Sequence, residues 1–268
     1  MLKSISNINQ LHDLISAFKA RNKKYHTNLL LPHDRLENLI NRDKVLYQNG
    51  ENCLSFLIRQ YHTNMLYLYV NDQINIEAGF DEKPLYIEFY EQPDKINNWI
   101  RPLEEKGFLR SSSYLRMSAS NQTILFPESC DEKRFKIITD TDKERIKEIM
   151  FSTFDLVGDR LPEEWEYDDF FSNMYMLQAI DEENDKFAGF FIYSINNTMG
   201  MGEYIFVEKE YRKLGLAQKF FEHYHKQTVD KLKRYFGWVL TENIASISLC
   251  LSLGYKQDLL RKELYVKN

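Results

Sequence analysis

Apolar residues follow two rhythms along this chain, one of three to four positions and one of two, and the rhythms alternate from end to end. The three-to-four spacing marks helices and the two-residue spacing marks half-buried strands. In the first half, Leu11, Leu14, Ile15 and Phe18 predict a helix over 8–19, and a shorter one follows near 34–40. Runs at 45–47, 53–58, 65–70 and 85–90 read as strands. Ile96, Trp99, Ile100 and Leu103 place a helix over 94–105. Gly107-Phe108 and a strand through Tyr114-Leu115 close this half. In the second half a strand at 135–138 precedes a helix opened by Thr141, with Glu144 three positions on as a capping box. Its apolar face is Ile146, Ile149, Met150 and Phe154. Strands at 175–180 and 187–195 flank the turn DEEND, and a strand at 202–207 leads into a helix striped by Leu216, Phe220, Tyr224 and Leu232. A strand at 236–240, a helix over 243–253, the stop at Gly254 and a strand at 259–266 complete the pattern.

Residues 118–134 are polar, hold Pro127 and end in charge, so they read as a connector. They divide the chain into expected domains 1–127 and 128–268, each large enough for a core. Both halves close with helix, glycine, aromatic and strand. That is a faint internal repeat, to be weighed against the common use of such punctuation.

Composition narrows the class. At 43% hydrophobic and 28% charged residues the chain is globular rather than disordered. A net charge of −5 gives no basic excess, so nucleic acid is not an expected partner. Cys53, Cys130 and Cys250 form no CxxC and no disulfide framework, which fits a reducing compartment. The first twenty residues lack the apolar core of a signal peptide, and no apolar run is long enough to span a bilayer. The expectation is a cytoplasmic protein without a membrane partner.

The stretch with most chemistry is EYIFVEKEYRKLGLA, residues 203–217. A strand enters Arg212-Lys213-Leu214-Gly215-Leu216-Ala217 and leaves as a helix. The first N–H groups of a helix lack intrahelical partners, and with the macrodipole they hold anions. Gly215 lets backbone approach the anion, Ala217 lets the helix approach its neighbour, and Arg212 and Lys213 add positive charge. Such a turn suits a pyrophosphate. The bland reading is an ordinary strand-to-helix turn with a surface arginine. A second pattern follows: Asn243, Ser246 three on, and Leu253-Gly254-Tyr255.

Together the two patterns resemble the GCN5-related N-acetyltransferase superfamily, which carries Arg/Gln-x-x-Gly-x-Gly/Ala after its fourth strand and then Asn, a small residue and Leu-Gly-Phe/Tyr. The resemblance covers about residues 135–268. It implies an α/β (α+β) fold with a mixed, mostly antiparallel twisted sheet flanked by helices. The repeat suggests two such units in tandem, the N-terminal one degenerate, since it lacks an Arg212-type turn. The resemblance also implies acetyl-CoA as cosubstrate, with its pantetheine between splayed fourth and fifth strands. Backbone near Phe206 and Val207 would pair with the pantetheine, the 212–217 turn would take the pyrophosphate, and Asn243 and Ser246 would touch the donor. Asn243 is equally readable as a helix cap and Ser246 as an inert surface residue.

The family often has a tyrosine acid seven positions after the asparagine. Here that position is Cys250, either an acid or a packed core thiol. Thiolate leaves with modest help, its pKa being near 8.5, so catalysis without the tyrosine is feasible. Glu203, on the fourth strand and on one face with Val207 by parity, is the candidate general base. Its other reading is a solvated glutamate. Charge developing on the transferred carbonyl would meet an N–H at a bulge near Val207. The acidic, aromatic stretch 155–169 reads either as a wall for a cationic amine or as a solvated loop. His223 and His225, two apart on a helix, read as surface residues and a poor metal pair, and no metal is expected. The expected activity is acetyl transfer to the primary amine of a small molecule. The alternatives are a non-catalytic acyl-CoA-binding module and a transferase of a larger acyl or aminoacyl group.

Overall fold

The computed structural model describes every residue except 1, 61–62, 73, 75, 77–82, 126–133 and 140. Cys130 and the expected 127/128 boundary lie outside the described residues. The chain forms two compact units, one of Met1–Ser113, Asp155–Glu163 and Leu260–Asn268, the other of Tyr114–Phe154 and Glu164–Leu259. They are called here the N-terminal and C-terminal units.

The N-terminal unit contains β1 (Lys3–Ser4), α1 (Ile8–Arg21), β2 (Tyr25–Thr27), α2 (His33–Asn41), β3 (Val45–Asn49), β4 (Cys53–Gln60), β5 (Thr63–Asn71), β6 (Leu85–Glu91) and α3 (Pro93–Glu105). The chain continues as β7 (Leu109–Ser120), then β8 (Phe135–Ile138), α4 (Lys143–Thr153), α5 (Tyr167–Asn173), β9 (Tyr175–Asp181), β10 (Lys186–Asn196), β11 (Met199–Val207), α6 (Leu216–Thr228), β12 (Arg234–Leu240), α7 (Ile244–Ser252) and β13 (Lys256–Lys267). The helices and longer strands follow the apolar rhythm closely. Three short elements escaped it, β1, β2 and α5.

Each unit repeats one sheet order. In the N-terminal unit β1, β3, β4, β5 and β6 lie in sequence, and residues 261–267 of β13 pair antiparallel with β6. In the C-terminal unit β8, β9, β10, β11 and β12 lie in sequence, and residues 114–120 of β7 pair antiparallel with β12. The strand that follows α3 thus completes the sheet of the C-terminal unit. The strand that follows α7 completes the sheet of the N-terminal unit. Among the described pairs within each unit, all are antiparallel except β5–β6 and β11–β12, which are parallel.

Local chemistry explains the ends of the elements. Asn7 Oδ1 caps α1 by accepting from Gln10 N–H at 2.9 Å. α4 is capped by Asp142, which accepts from Arg145 N–H at 3.1 Å, one position beyond the Thr141 expected from the capping box. Both α3 and α7 end in a left-handed glycine. Gly107 has φ +81° and Gly254 φ +85°. Phe108 N–H reaches Leu103 O and Tyr255 N–H reaches Cys250 O, each at 3.0 Å, closing the same hydrogen-bonded turn twice. A Cβ at Gly254 would lie 2.1 Å from Thr123 O. The glycine–aromatic repeat is therefore a repeated helix stop.

Each unit has its own core. Ile96, Trp99 and Leu103 of α3 pack with Leu66, Leu68, Ile87 and Tyr265 in the N-terminal unit. Under α6, Phe220, Phe221 and Tyr224 pack with Phe191, Tyr193 and Tyr235 in the C-terminal unit. Full burial of such side chains is worth about 1.5–3 kcal/mol each. His225, expected on the surface, is fully buried in the C-terminal unit, with Nε2 2.8 Å from Tyr255 Oη. Burial pushes its pKa down to about 4. His223 is half-buried and bonded to Gln227.

Two expectations follow. A fragment of residues 128–268 lacks the strand that covers β12 and carries a β13 end that belongs to the other sheet. It should be recovered as aggregate, or without cooperative unfolding, whereas the intact chain unfolds cooperatively; denaturant titration of both checks this. The second concerns pH. An unfolded histidine titrates near 6.5, above the folded His225, so the unfolded state takes up the proton first. Stability from a neutral His225 is complete above about pH 6.5 and is lost on acidification towards pH 4, by about 3 kcal/mol in all. Urea midpoints of the wild type should fall more steeply over that window than those of His225→Gln.

Candidate functional site

The C-terminal unit's sheet opens along one seam. β11 and β12 pair through Met199↔Arg234, Gly200↔Tyr235, Met201↔Phe236 and Gly202↔Gly237, and the described pairs end there. Beyond that point β11 keeps β10 as partner to Val207, and β12 keeps β7 to Leu240. The facing edges of 203–207 and 238–240 therefore border an opening. A bulge accounts for the divergence. Ile192 faces Tyr204 but Tyr193 faces Gly202, so Glu203 is an extra residue on β11. An extra residue bends its strand and increases the local twist. Two glycines meet at the apex, where a Cβ on Gly237 would stand 3.3 Å from Gly202 O.

The bulge expected near Val207 thus lies four residues earlier, at Glu203, and it resets the alternation of side chains. Ile205 and Val207 pack on the core beneath α6. Glu203 Oε1 accepts from Ser194 Oγ at 2.6 Å, on the face opposite Tyr193. Glu203 and Val207 therefore do not share a face, as simple parity had suggested. Tyr204, on the face of Ser194, is flanked by Phe154 at 5.3 Å and Phe170 at 6.0 Å between ring centroids. Glu203 is half-buried beside this aromatic patch.

Backbone direction along β11 decides what the opening offers. Phe206 O lies against Gly189 of β10, and Glu208 N–H donates to Ala188 O at 2.9 Å. Residues 204 and 206 thus turn their polar groups to β10, and Ile205 and Val207 turn theirs to the opening. Of the two residues expected to pair with a donor, Val207 presents its backbone there. Phe206 instead stacks its ring on Phe190, 5.8 Å away. Val207 O is taken by Arg212 Nε at 3.0 Å. The arginine thus ties the turn to the strand end with its side chain.

The turn itself is wound left-handed twice, at Lys213 with φ +65° and Gly215 with φ +81°. Gly215 caps α6 with no side-chain hydrogen bond. This sets α6 apart from α4 and α7, which Asp142 and Asn243 cap. Arg212, Lys213 and Leu214 are exposed and Ala217 is half-buried. The Leu216 side chain is in the core, so only its N–H is on offer. A helix start led by a left-handed glycine beside two cations has the electrostatics of an anion site.

Asn243 and Ser246 are already partners. Asn243 Oδ1 accepts from Ser246 N–H at 3.0 Å, which makes the asparagine the cap of α7. Cys250 lies in the core, and burial pushes its thiol up to about 12. A donor at that pKa is poorly matched to a leaving thiolate near 8.5. Packing is the role its surroundings support.

Three carboxylates of the acidic stretch are spent on structure. Within the N-terminal unit, Asp155 accepts from Val157 and Gly158 N–H, and Asp159 accepts from Asp155 N–H. Glu163 pairs with Lys44 and Arg160 with Glu88. Among the described residues no group of three or more His, Cys, Asp or Glu is placed to hold a metal, and no helix is long and apolar enough to cross a membrane.

Residues 143–255 match the sequence model of the acetyltransferase (GNAT) family. The whole chain is similar in fold to a GCN5-related N-acetyltransferase from Sphaerobacter thermophilus, with a TM-score of 0.61 and 14% identity over 100% of this chain and 95% of that one. It is also similar to a tandem GNAT protein from the clavulanic acid biosynthesis pathway, with a TM-score of 0.55 and 12% identity over 95% and 87% of the two chains. A GCN5-related N-acetyltransferase from Kribbella flavida matches with a TM-score of 0.53 and 9% identity over 87% and 92%. At these identities the likeness is one of fold. No curated protein matches the chain in sequence.

Proposed function

We propose, on the match of residues 143–255 to the sequence model of the acetyltransferase (GNAT) family, that the chain transfers an acetyl group from acetyl-CoA to the primary amine of a small molecule. The observation that carries the reading is the opening between β11 and β12, with the glycine-led start of α6 at its end. A donor with amides along its length and a pyrophosphate at one end fits both features. Val207 and Ile205 offer backbone hydrogen bonds to the amides. The N–H groups of Leu216 and Ala217, with Lys213, face the pyrophosphate. Gly215 keeps the approach clear, since a Cβ there would add bulk at a left-handed position.

Glu203 is the proposed base. It sits at the apex of the opening, where the acyl end of such a donor would lie, and Ser194 orients its carboxylate. It takes a proton from the attacking amine as the C–N bond forms and the C–S bond breaks. The thiolate leaves as a stable anion or takes its proton from water, so the buried Cys250 is not required. Phe154, Phe170 and Tyr204 would hold the apolar body of the amine.

Calorimetry with acetyl-CoA tests the donor site. Gly215→Glu places a carboxylate and a side chain where the anion would lie. Affinity should fall by about 100-fold or more while the circular dichroism spectrum is retained. Unchanged affinity would overturn the pyrophosphate assignment. Glu203→Gln should leave donor affinity in place and lower kcat on an accepted amine by about 10²- to 10⁴-fold. A thiol-release assay measures it. Donor binding with no turnover across an amine panel would favour a non-catalytic acyl-CoA-binding protein.

A further inference from the structure

The N-terminal unit has an opening of the same kind, and the chain fills it. β5 and β6 run parallel through Asn64↔Leu85 and Met65↔Tyr86, and the described pairs end there. β5 keeps β4 on its far edge and β6 keeps β13 on its own. Between them lies β2, paired antiparallel to β5 through Tyr25↔Asn71, His26↔Val70 and Thr27↔Tyr69. The next residue, Asn28, is 4% exposed. Its Nδ2 donates to Leu66 O on β5 and to Glu88 O on β6, each at 3.1 Å. Its Oδ1 accepts from Leu68 N–H at 2.7 Å. One side-chain amide thus bridges both diverging strands and satisfies three of their buried backbone groups.

We infer that residues 25–28 are a built-in occupant of a donor-type cleft, with the Asn28 amide standing where an amide of a pantetheine chain would otherwise stand. The N-terminal unit is closed to acyl-CoA from within, and the chain binds one donor, at the opening between β11 and β12. A second observation points the same way. Between β11 and β12 the chain builds α6 and its glycine-led start. None of the described residues of 72–84, which join β5 to β6, is helical. Among its described residues the N-terminal unit has a strand edge that suits an amide and, between β5 and β6, no helix start to match that of α6. The count of one donor rests on the reading proposed for the C-terminal unit; the identity of the plug does not.

The test has two arms. In the first, equilibrium dialysis counts acetyl-CoA on the full chain and on Gly215→Glu. One site in the wild type and none in the variant is the expected result. Two sites in the wild type, one surviving in Gly215→Glu, would overturn the plug and leave the donor reading standing. One site unaffected by Gly215→Glu would put the donor in the N-terminal unit and overturn both. No binding to the wild type would overturn the donor reading alone. The second arm needs no donor reading. Asn28→Ala leaves Leu66 O, Leu68 N–H and Glu88 O without the amide, and its Tm should fall. Pantetheine, which lacks the pyrophosphate, should restore it at about 10 mM, raising the variant's Tm by at least about 2 °C more than that of the wild type. An equal shift in both proteins, or none in either, would overturn the assignment of the gap as amide-accepting. Should Asn28→Ala fail to fold, the site count on the wild type and Gly215→Glu still decides.

Discussion

Two parallel strands that part company leave backbone N–H and C=O groups facing each other across a gap, and buried groups of that kind must find partners. This chain contains the situation twice. In the N-terminal unit the answer is internal, since β2 and the amide of Asn28 take the strand edges. In the C-terminal unit Arg212 answers Val207 O, and a ligand is the proposed further partner along the opening. The chemistry in the two gaps is complementary. A single amide that donates twice and accepts once is a short version of the repeating amides a pantetheine arm would bring. The filled gap illustrates, inside the same molecule, the amide chemistry that the proposed donor would bring to the other gap.

The position of the divergence has a chemical consequence. It is set by one extra residue, and that residue is the glutamate. A bulge bends β11 away from β12 and lifts the Glu203 carboxylate out of the regular alternation, onto the face where Ser194 bonds it. Had the alternation run unbroken, the same side chain would have shared a face with Val207 and turned towards the core under α6. The device that opens the sheet is therefore also the device that places a carboxylate at its apex. In the proposed mechanism the two functions cannot be separated by moving one residue along the strand.

Much of the fold was legible in the sequence because its helices and long strands bury one face and so carry a period. The helix stops at Gly107 and Gly254 were legible because glycine is favoured at a left-handed position. The Arg212–Ala217 turn was legible because a helix start suited to an anion calls for a small residue at the approach and positive charge nearby. The parts that were hidden have a common cause. β2 is three residues long, too short for any rhythm, and Asn28 looks like one more polar residue beside it. The Glu203 bulge changes parity without changing composition. His225 reads as a surface histidine until Tyr255, thirty positions away, supplies its partner. The exchange of β7 and β13 between the sheets is a matter of long-range pairing, which no local pattern encodes.

That exchange also clarifies why one unit could change so much without disturbing the rest. Each sheet is closed by the strand that follows the last helix of the other half, so both halves must fold for either to be complete. Stability thus holds the N-terminal unit in place whatever happens to a donor cleft there. None of the described residues between β5 and β6 forms a helix start like that at Gly215. A cleft without such a start is a poor donor site but still an open seam with buried polar edges. The least disruptive way to close it is a nearby segment of the same chain, and residues 25–28 are such a segment. The plug is then a requirement of folding as much as a barrier to ligand. It couples the closure of one gap to the reservation of the other for the proposed donor.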